Sequence, residues 1–252
     1  MLEIILLSIT QGITEFLPVS SSAHLILASK ILGFDNNNLI LDVSLHFGSL
    51  LAVIFYFKKE ILNFVKNKSL FLKIIVGSLP TMIFGYLLIK LGLIEKLRNE
   101  YLIGLTTILF GILLYFADNT KQEKKINNNF NIKNAIYIGL FQILSLIPGV
   151  SRAGITITAA RFFKFSRIDS AKISFMLSIP TLFAASFYNI LKILELKNLE
   201  ITYQNLLAIF FSFTFSLITL KLFINFLKRF SLNLFAFYRI ILGLLIFYFF
   251  YL

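Results

Sequence analysis

Residues 19–34 read VSSSAHLILASKILGF, and residues 150–165 read VSRAGITITAARFFKF. Laid over one another without a gap, they pair Val19 with Val150, Ser20 with Ser151, Ala28 with Ala159 and Phe34 with Phe165, and set Lys30 on Arg161. The offset is 131 residues, and it also sets Gln11 on Gln142. Carried outward, it lays the apolar segment 39–57 on 170–188, 74–94 on 205–225 and 101–117 on 232–248. A few identities are weak evidence alone. Agreement in the position of every segment makes an internal repeat the organising feature, with units of about 1–117 and 132–252 in a single domain spanning 1–252.

Composition says what kind of protein is repeated. Of 252 residues, 58% are hydrophobic and 14% charged, and the mean hydropathy is +0.86. Soluble domains carry about 25% charged residues, so this chain reads as an integral membrane protein. The absence of Cys excludes disulfide scaffolds and thiolate metal sites. The N-terminal apolar run has no basic stretch before it and carries Glu3 and Glu15 in or beside it, so no cleavage is expected there.

A spanning helix needs roughly 17–25 residues. Six segments reach or approach that length: 39–57, 74–94, 101–117, 170–191, 202–224 and 234–252. The others, 2–17, 22–34, 134–147 and 150–163, are short, broken by Pro18 or Pro148, or interrupted by polar residues. Two short helices joined by a polar turn suggest a re-entrant hairpin, tolerated at membrane depth only when buried in protein or lining a wet cavity. The expected fold is therefore an all-α polytopic membrane protein. Each half holds one re-entrant helical hairpin and three transmembrane helices, and an odd number of spans inverts the second half relative to the first.

The net charge of +12 raises the question of nucleic acid. Of the 24 Lys and Arg, sixteen fall in loops on the side opposite the N-terminus, Arg161 among them, and six on the N-terminal side, with Arg152 and Arg239 inside segments. Basic residues spread over short juxtamembrane loops mark a cytoplasmic face, so no nucleic-acid partner is expected. Both termini and the mouth of the first hairpin are expected outside. Arg239 is expected to snorkel toward the cytoplasmic end of the last span.

The hairpins carry polar residues that lipid would not tolerate. The first reads QGITEFLPVSSSAH, residues 11–24, in which Gln11 and Glu15 share a helix face. Ser20, Ser21, Ser22 and His24 follow the break at Pro18, where free N–H groups at a helix start suit an anionic oxygen. The second hairpin reads PGVSRAGITIT, residues 148–158, and offers Ser151, Thr156 and the planar fork of Arg152. Taken singly, each has a structural reading: a carboxylate bonded to backbone, a satisfied core histidine, serines at helix contacts. Their shared register favours one purpose, and a carboxylate, an imidazole, hydroxyls and a guanidinium together suit phosphoryl transfer. Asp42 and His46, one turn apart near a span end, read as structural or rim residues.

These two motifs resemble the signatures of the bacterial undecaprenyl-diphosphatase, or bacitracin-resistance, family. Gln11, Glu15, Pro18, Val19, Ser20, Ser21 and His24 match the first; Pro148, Gly149, Ser151, Arg152 and Thr156 match the second. The resemblance covers nearly the whole chain. It implies a hydrolase that removes one phosphate from undecaprenyl diphosphate at the outer face of the bacterial cytoplasmic membrane. The product would be the lipid monophosphate used as carrier for peptidoglycan and other wall polymers, and resistance to bacitracin would follow. It further implies Glu15, Ser21, His24 and Arg152 as catalytic residues, and Ser20, Ser22, Ser151, Arg152 and Thr156 as phosphate-binding ones. Glu15 and Gln11 would hold a divalent cation, Mg or Ca. Two assignments stand for the nucleophile: Ser21 with His24 as base or acid, or His24 with the serines as ligands. Gln11 is neutral where many relatives carry Glu, and Ala153 replaces a Ser of the signature. The repeat layout equally suits a flippase or transporter of a lipid phosphate or small anion. Other partners would be membrane lipids and a second copy of the chain as a homodimer.

Overall fold

The computed structural model describes residues 1–32, 39–62, 68–97, 99–195 and 202–251. Phe34 of the repeat, and Lys66, Arg98 and Lys197 of the charge count, lie outside the described residues. The chain is helical: α1 Leu2–Thr14, α2 Ser21–Leu32, α3 Leu39–Tyr56, α4 Lys58–Leu62, α5 Lys68–Lys90, α6 Leu93–Lys96, α7 Glu100–Asp118, α8 Ile126–Asn129, α9 Ile132–Ile143, α10 Arg152–Phe162, α11 Arg167–Glu195, α12 Tyr203–Leu227 and α13 Asn233–Tyr251. Among the described residues there is no strand, only an isolated bridge between Lys124 and Phe165. Six helices are long and apolar enough to cross a membrane, namely α3, α5, α7, α11, α12 and α13, the six segments that length and hydropathy single out.

Local chemistry sets the helix ends. Asn99 caps α7 through the Leu102 N–H, and Asn131 caps α9 through the Asn134 N–H. Thr202 and Asn205 form a reciprocal capping box on α12. Pro18 stops α1 from continuing into α2, and Pro148-Gly149 separates α9 from α10.

The helices pack in a pattern that follows the 131-residue offset. That offset takes α1, α2, α3, α5 and α7 onto α9, α10, α11, α12 and α13, with starts that agree within four residues. Accordingly α1 lies against α12 while α9 lies against α5, and α7 pairs with α13. Small residues allow the close approaches, as expected where lipid tails compete for every apolar side chain. A Cβ on Gly139 of α9 would stand 1.9 Å from the Gly77 carbonyl oxygen of α5. Between α3 and α12, Ser212 donates to the Leu45 carbonyl at 2.6 Å and Ser216 to Ser49 at 3.1 Å. The core is aromatic, with Phe16, Phe57, Phe175 and Phe223 in one cluster. Phe237, Tyr248 and Phe249 point outward.

One end of the bundle is tied by charge. Asp118, at the C-terminus of α7, accepts two bonds from Arg167, at 2.7 and 2.9 Å, and one from the Leu232 N–H at 2.9 Å. Arg161 lies 3.5 Å from the same carboxylate and donates to the carbonyls of Asp118, Thr120 and Phe165. Arg161 is therefore not a solvated loop cation, as counting charges by position suggests. It is fully buried, because three backbone carbonyls at loop ends need donors that only a long planar fork reaches. Nearby, Lys164 donates to Glu123 at 2.9 Å, which holds that exposed carboxyl below its usual range and adds little stability.

The α5–α9 contact yields a test. Gly139→Ala forces α9 off α5 by the width of a methyl group. The melting temperature in detergent should drop by several degrees, a cost of about 1–3 kcal/mol for overpacking. An unchanged melting temperature would mean that the two backbones do not touch.

Candidate active site

The two broken hairpins meet at their tips. Each tip carries a serine in left-handed conformation, Ser20 at φ 74° and Ser151 at φ 68°, related by the repeat offset. Such a backbone costs a non-glycine residue about 1–3 kcal/mol and gathers at functional sites. Each serine also begins the following helix. The Ser151 hydroxyl accepts from the Gly154 N–H at 3.0 Å, and the Ser20 hydroxyl accepts from the Ala23 N–H at 3.4 Å. The starts of α2 and α10 thus each keep backbone N–H groups that have no partner inside their own helices.

Arg239 of α13 holds these tips. Its exposure is 0%, and it donates to the carbonyls of Gly149 at 2.8 Å, Thr107 at 3.3 Å and Pro18 at 3.5 Å. The expectation that it snorkels is corrected. Position in the sequence put it near a span end, but broken helices leave carbonyls that must find donors away from water, and Arg239 supplies them.

Glu15 is the centre of the polar cluster. One of its oxygens receives the Arg152 guanidinium at 2.5 Å. The other accepts from Ser21 at 2.8 Å and from the Gln11 amide at 3.0 Å. The first hairpin supplies Gln11, Glu15 and Ser21, and the second supplies Arg152, so the site is split across the two halves. The second guanidinium nitrogen of Arg152, NH1, is buried without a partner among the described residues. It is a donor left for something else.

His46 belongs to this cluster, although the sequence placed it with Asp42 at the rim. The Gln11 amide nitrogen, already bonded to Glu15, also donates to His46 Nδ1 at 2.9 Å. An amide nitrogen only donates, so Nδ1 accepts and the ring proton sits on Nε2. That nitrogen faces Asp42 at 3.7 Å. Nothing in the helical spacing of Asp42 and His46 could show that Gln11, 35 residues away, points at them.

His24 lies elsewhere. Its Nδ1 donates to the Ser20 carbonyl at 2.7 Å, so in the neutral ring Nε2 accepts the hydroxyl proton of Tyr238 at 2.6 Å. The Tyr238 ring lies nearly parallel to the imidazole, with centroids 5.8 Å apart; it was not singled out from sequence, where it reads as one more aromatic in a Phe-rich span. The residue bonded to Ser21 is Glu15, not His24. Ser22 is exposed and lies 3.3 Å from the Ser20 hydroxyl. Thr156 is fully buried; its hydroxyl donates to the Arg152 carbonyl at 2.8 Å and accepts from the Ser174 hydroxyl at 2.7 Å, which joins α10 to α11.

A resident divalent cation does not fit these residues. Mg and Ca prefer six or more oxygens, carboxylates among them. Here the Glu15 oxygens already receive Arg152, Ser21 and Gln11, and no group of three His, Asp or Glu converges among the described residues. The Gln11 oxygen is buried without a partner there, but one neutral amide oxygen does not make a site.

The repeat offset equates helices but not chemistry. Glu15, His24, Asp42 and His46 correspond to Leu146, Ile155, Ile173 and Leu177. The two hairpins frame one site, not two.

His46 is tested by comparing two replacements. His46→Leu strands a buried amide proton, which costs about 1–3 kcal/mol and should lower turnover roughly five- to a hundredfold. His46→Gln, which restores an acceptor, should recover most of it. Equal turnover in all three proteins would remove His46 from the site.

The chain is similar to known proteins over nearly its whole length. The family described as bacitracin resistance protein BacA matches residues 4–245. A Pelagibacter ubique protein described as undecaprenyl-diphosphatase is 52% identical over 252 residues, 98% of this chain and 96% of that one. Proteins of the same description from Alteromonas mediterranea and Campylobacter curvus are each 40% identical, over 98% and 96% of this chain and 97% and 96% of their own length.

Proposed function

Because the chain belongs to the bacitracin resistance protein BacA family, we propose that it is an undecaprenyl-diphosphatase. It would convert undecaprenyl diphosphate to the monophosphate and inorganic phosphate, recycle the carrier for peptidoglycan and other wall polymers, and confer bacitracin resistance. One observation carries the chemistry. Glu15 of one hairpin holds both the Ser21 hydroxyl of its own hairpin and the Arg152 guanidinium of the other, and a second Arg152 nitrogen is left without a partner among the described residues.

The lipid tail stays in the bilayer and the diphosphate enters between the hairpin tips. Arg152 NH1 and the N–H groups opening α2 and α10 bind its oxygens, which stabilises charge on the transferring group, the main part of phosphoryl-transfer catalysis. Ser21 attacks the terminal phosphorus. Its oxygen–phosphorus bond forms as the bridging oxygen–phosphorus bond breaks, the proton passes to Glu15, and the lipid monophosphate leaves. Water then attacks the phosphoserine, Glu15 returns a proton to the Ser21 oxygen, and inorganic phosphate is released. His24, capped by Tyr238, stands at the start of α2 as a second binding or proton-transfer group. The excess of Lys and Arg in loops on one side supports a cytoplasmic face there and a pocket open outward. In that arrangement the second half is inverted, the hairpins are re-entrant and both termini lie outside.

Phosphate release by the purified protein in detergent tests this reading, since detergent abolishes vectorial transport but not hydrolysis. Arg152→Ala should nearly abolish release with the protein still folded, at a lower melting temperature because the buried Glu15 loses its partner; retention within a few-fold refutes the clamp. A phosphoryl group trapped on His24 instead of Ser21 would reverse the nucleophile. Chelator should leave release largely intact if Arg152 and the N–H groups carry the charge, and a complete loss would show that a cation arrives with the diphosphate.

A further inference from the structure

Away from the Glu15 cluster the bundle holds a second concavity. It has a volume of about 240 Å³ and is lined by Phe57, Leu70, Phe130 and Met176, with Lys73 and Lys172 among its polar walls. His46 and Tyr56 are ten residues apart on α3, about 15 Å at 1.5 Å per residue, so Phe57 lies deep toward the other end. Lys172 stands on the first turns of α11, beside the Asp118 cluster. The cavity therefore lies at the lysine-rich end of the molecule.

Its walls are of two kinds. Phe57, Phe130 and Met176 are buried at 2–3% exposure and continue into the main core. Lys73 and Lys172 are half-buried and make no ion pair among the described residues. Glu60 and Asn127, from exposed positions on α4 and α8, and the half-buried Ile126 of α8 complete the lining. Two ammonium groups against one carboxylate leave the cavity positive. Its size is ample for a phosphate group with the first part of a chain. Beside it α4 and α5 expose Leu62 and Leu72, an apolar path along which a chain could run into lipid.

We propose that this cavity binds the phosphate headgroup of an anionic membrane lipid, with Lys73 and Lys172 on the phosphate and the chain against Leu70, Phe130 and Met176. A free phosphate ion would use the lysines but gain nothing from the five apolar lining residues. Basic pockets between transmembrane helices at the lysine-rich face are suited to such headgroups. None of these residues touches the Glu15 cluster, so the site is separate from the hydrolytic one.

The test uses full-length protein, delipidated in detergent, with melting temperature followed against added phosphatidylglycerol, phosphatidylcholine or inorganic phosphate. Wild type should bind phosphatidylglycerol more tightly than phosphatidylcholine and show no saturable response to phosphate. Lys73→Ala with Lys172→Ala should weaken phosphatidylglycerol binding roughly 20- to 30-fold, at about 1 kcal/mol per lysine, with phosphate release from undecaprenyl diphosphate unchanged. Lys58→Ala with Lys59→Ala, which removes equal charge from the neighbouring surface, should keep the preference. If the alanine protein does not fold, Lys73→Gln with Lys172→Gln replaces it, and Lys→Arg at both should retain binding. Three results would overturn the proposal: no preference in wild type, equal loss in the Lys58/Lys59 control, or phosphate binding as tightly as the lipid.

Discussion

A backbone that breaks inside an apolar bundle must find partners for the carbonyls it frees, and here the guanidinium of Arg239 provides them. It reaches Pro18 of one hairpin, Gly149 of the other and Thr107 of α7 from a fully buried position on α13. No carboxylate pairs with it among the described residues, so its charge is borne by carbonyl dipoles, an arrangement that costs several kcal/mol in desolvation unless every donor is used. The close seat explains the glycine at 154, where a Cβ would stand 2.6 Å from the Arg239 nitrogen. Both tips are fixed to one side chain, beside Ser20 and Ser151 in their left-handed conformations. The placement of Glu15 against Arg152 follows from that.

The cluster is also balanced internally. Glu15 and Arg152 cancel, Gln11 and His46 are neutral partners, and the guanidinium keeps one donor open. The positive charge left over is that of Arg239, which meets carbonyls and no carboxylate among the described residues, in a setting where charge interactions are stronger than in water.

Most of the architecture was legible in the sequence, because membrane thickness sets helix length and hydropathy reports it. The six spans and the four short helices fall where apolar runs predict them. Glu15, Ser21 and Arg152 were legible too, since an apolar helix that breaks around charge and hydroxyls must bury them against one another or against a ligand. Contacts that depend on side-chain direction were not. His46 reads as a rim residue until the Gln11 amide is seen to bridge it to Glu15, and Tyr238 is one of ten tyrosines. Arg161 and Arg239 misled for a related reason. Distance along the chain from a span end does not reveal whether a long side chain turns outward to water or inward to unpaired carbonyls.

The unequal filling of the two halves has a wider consequence. Gln142, at the position matching Gln11, is fully buried and neither polar atom of its amide has a partner among the described residues. At the places that match Glu15, Asp42 and His46 stand Leu146, Ile173 and Leu177. Two equal sites would tie every change in one half to its twin. With one site shared between them, the halves are bound by complementarity instead: neither hairpin holds a working set alone, and the frame is free to drift wherever only its shape is used.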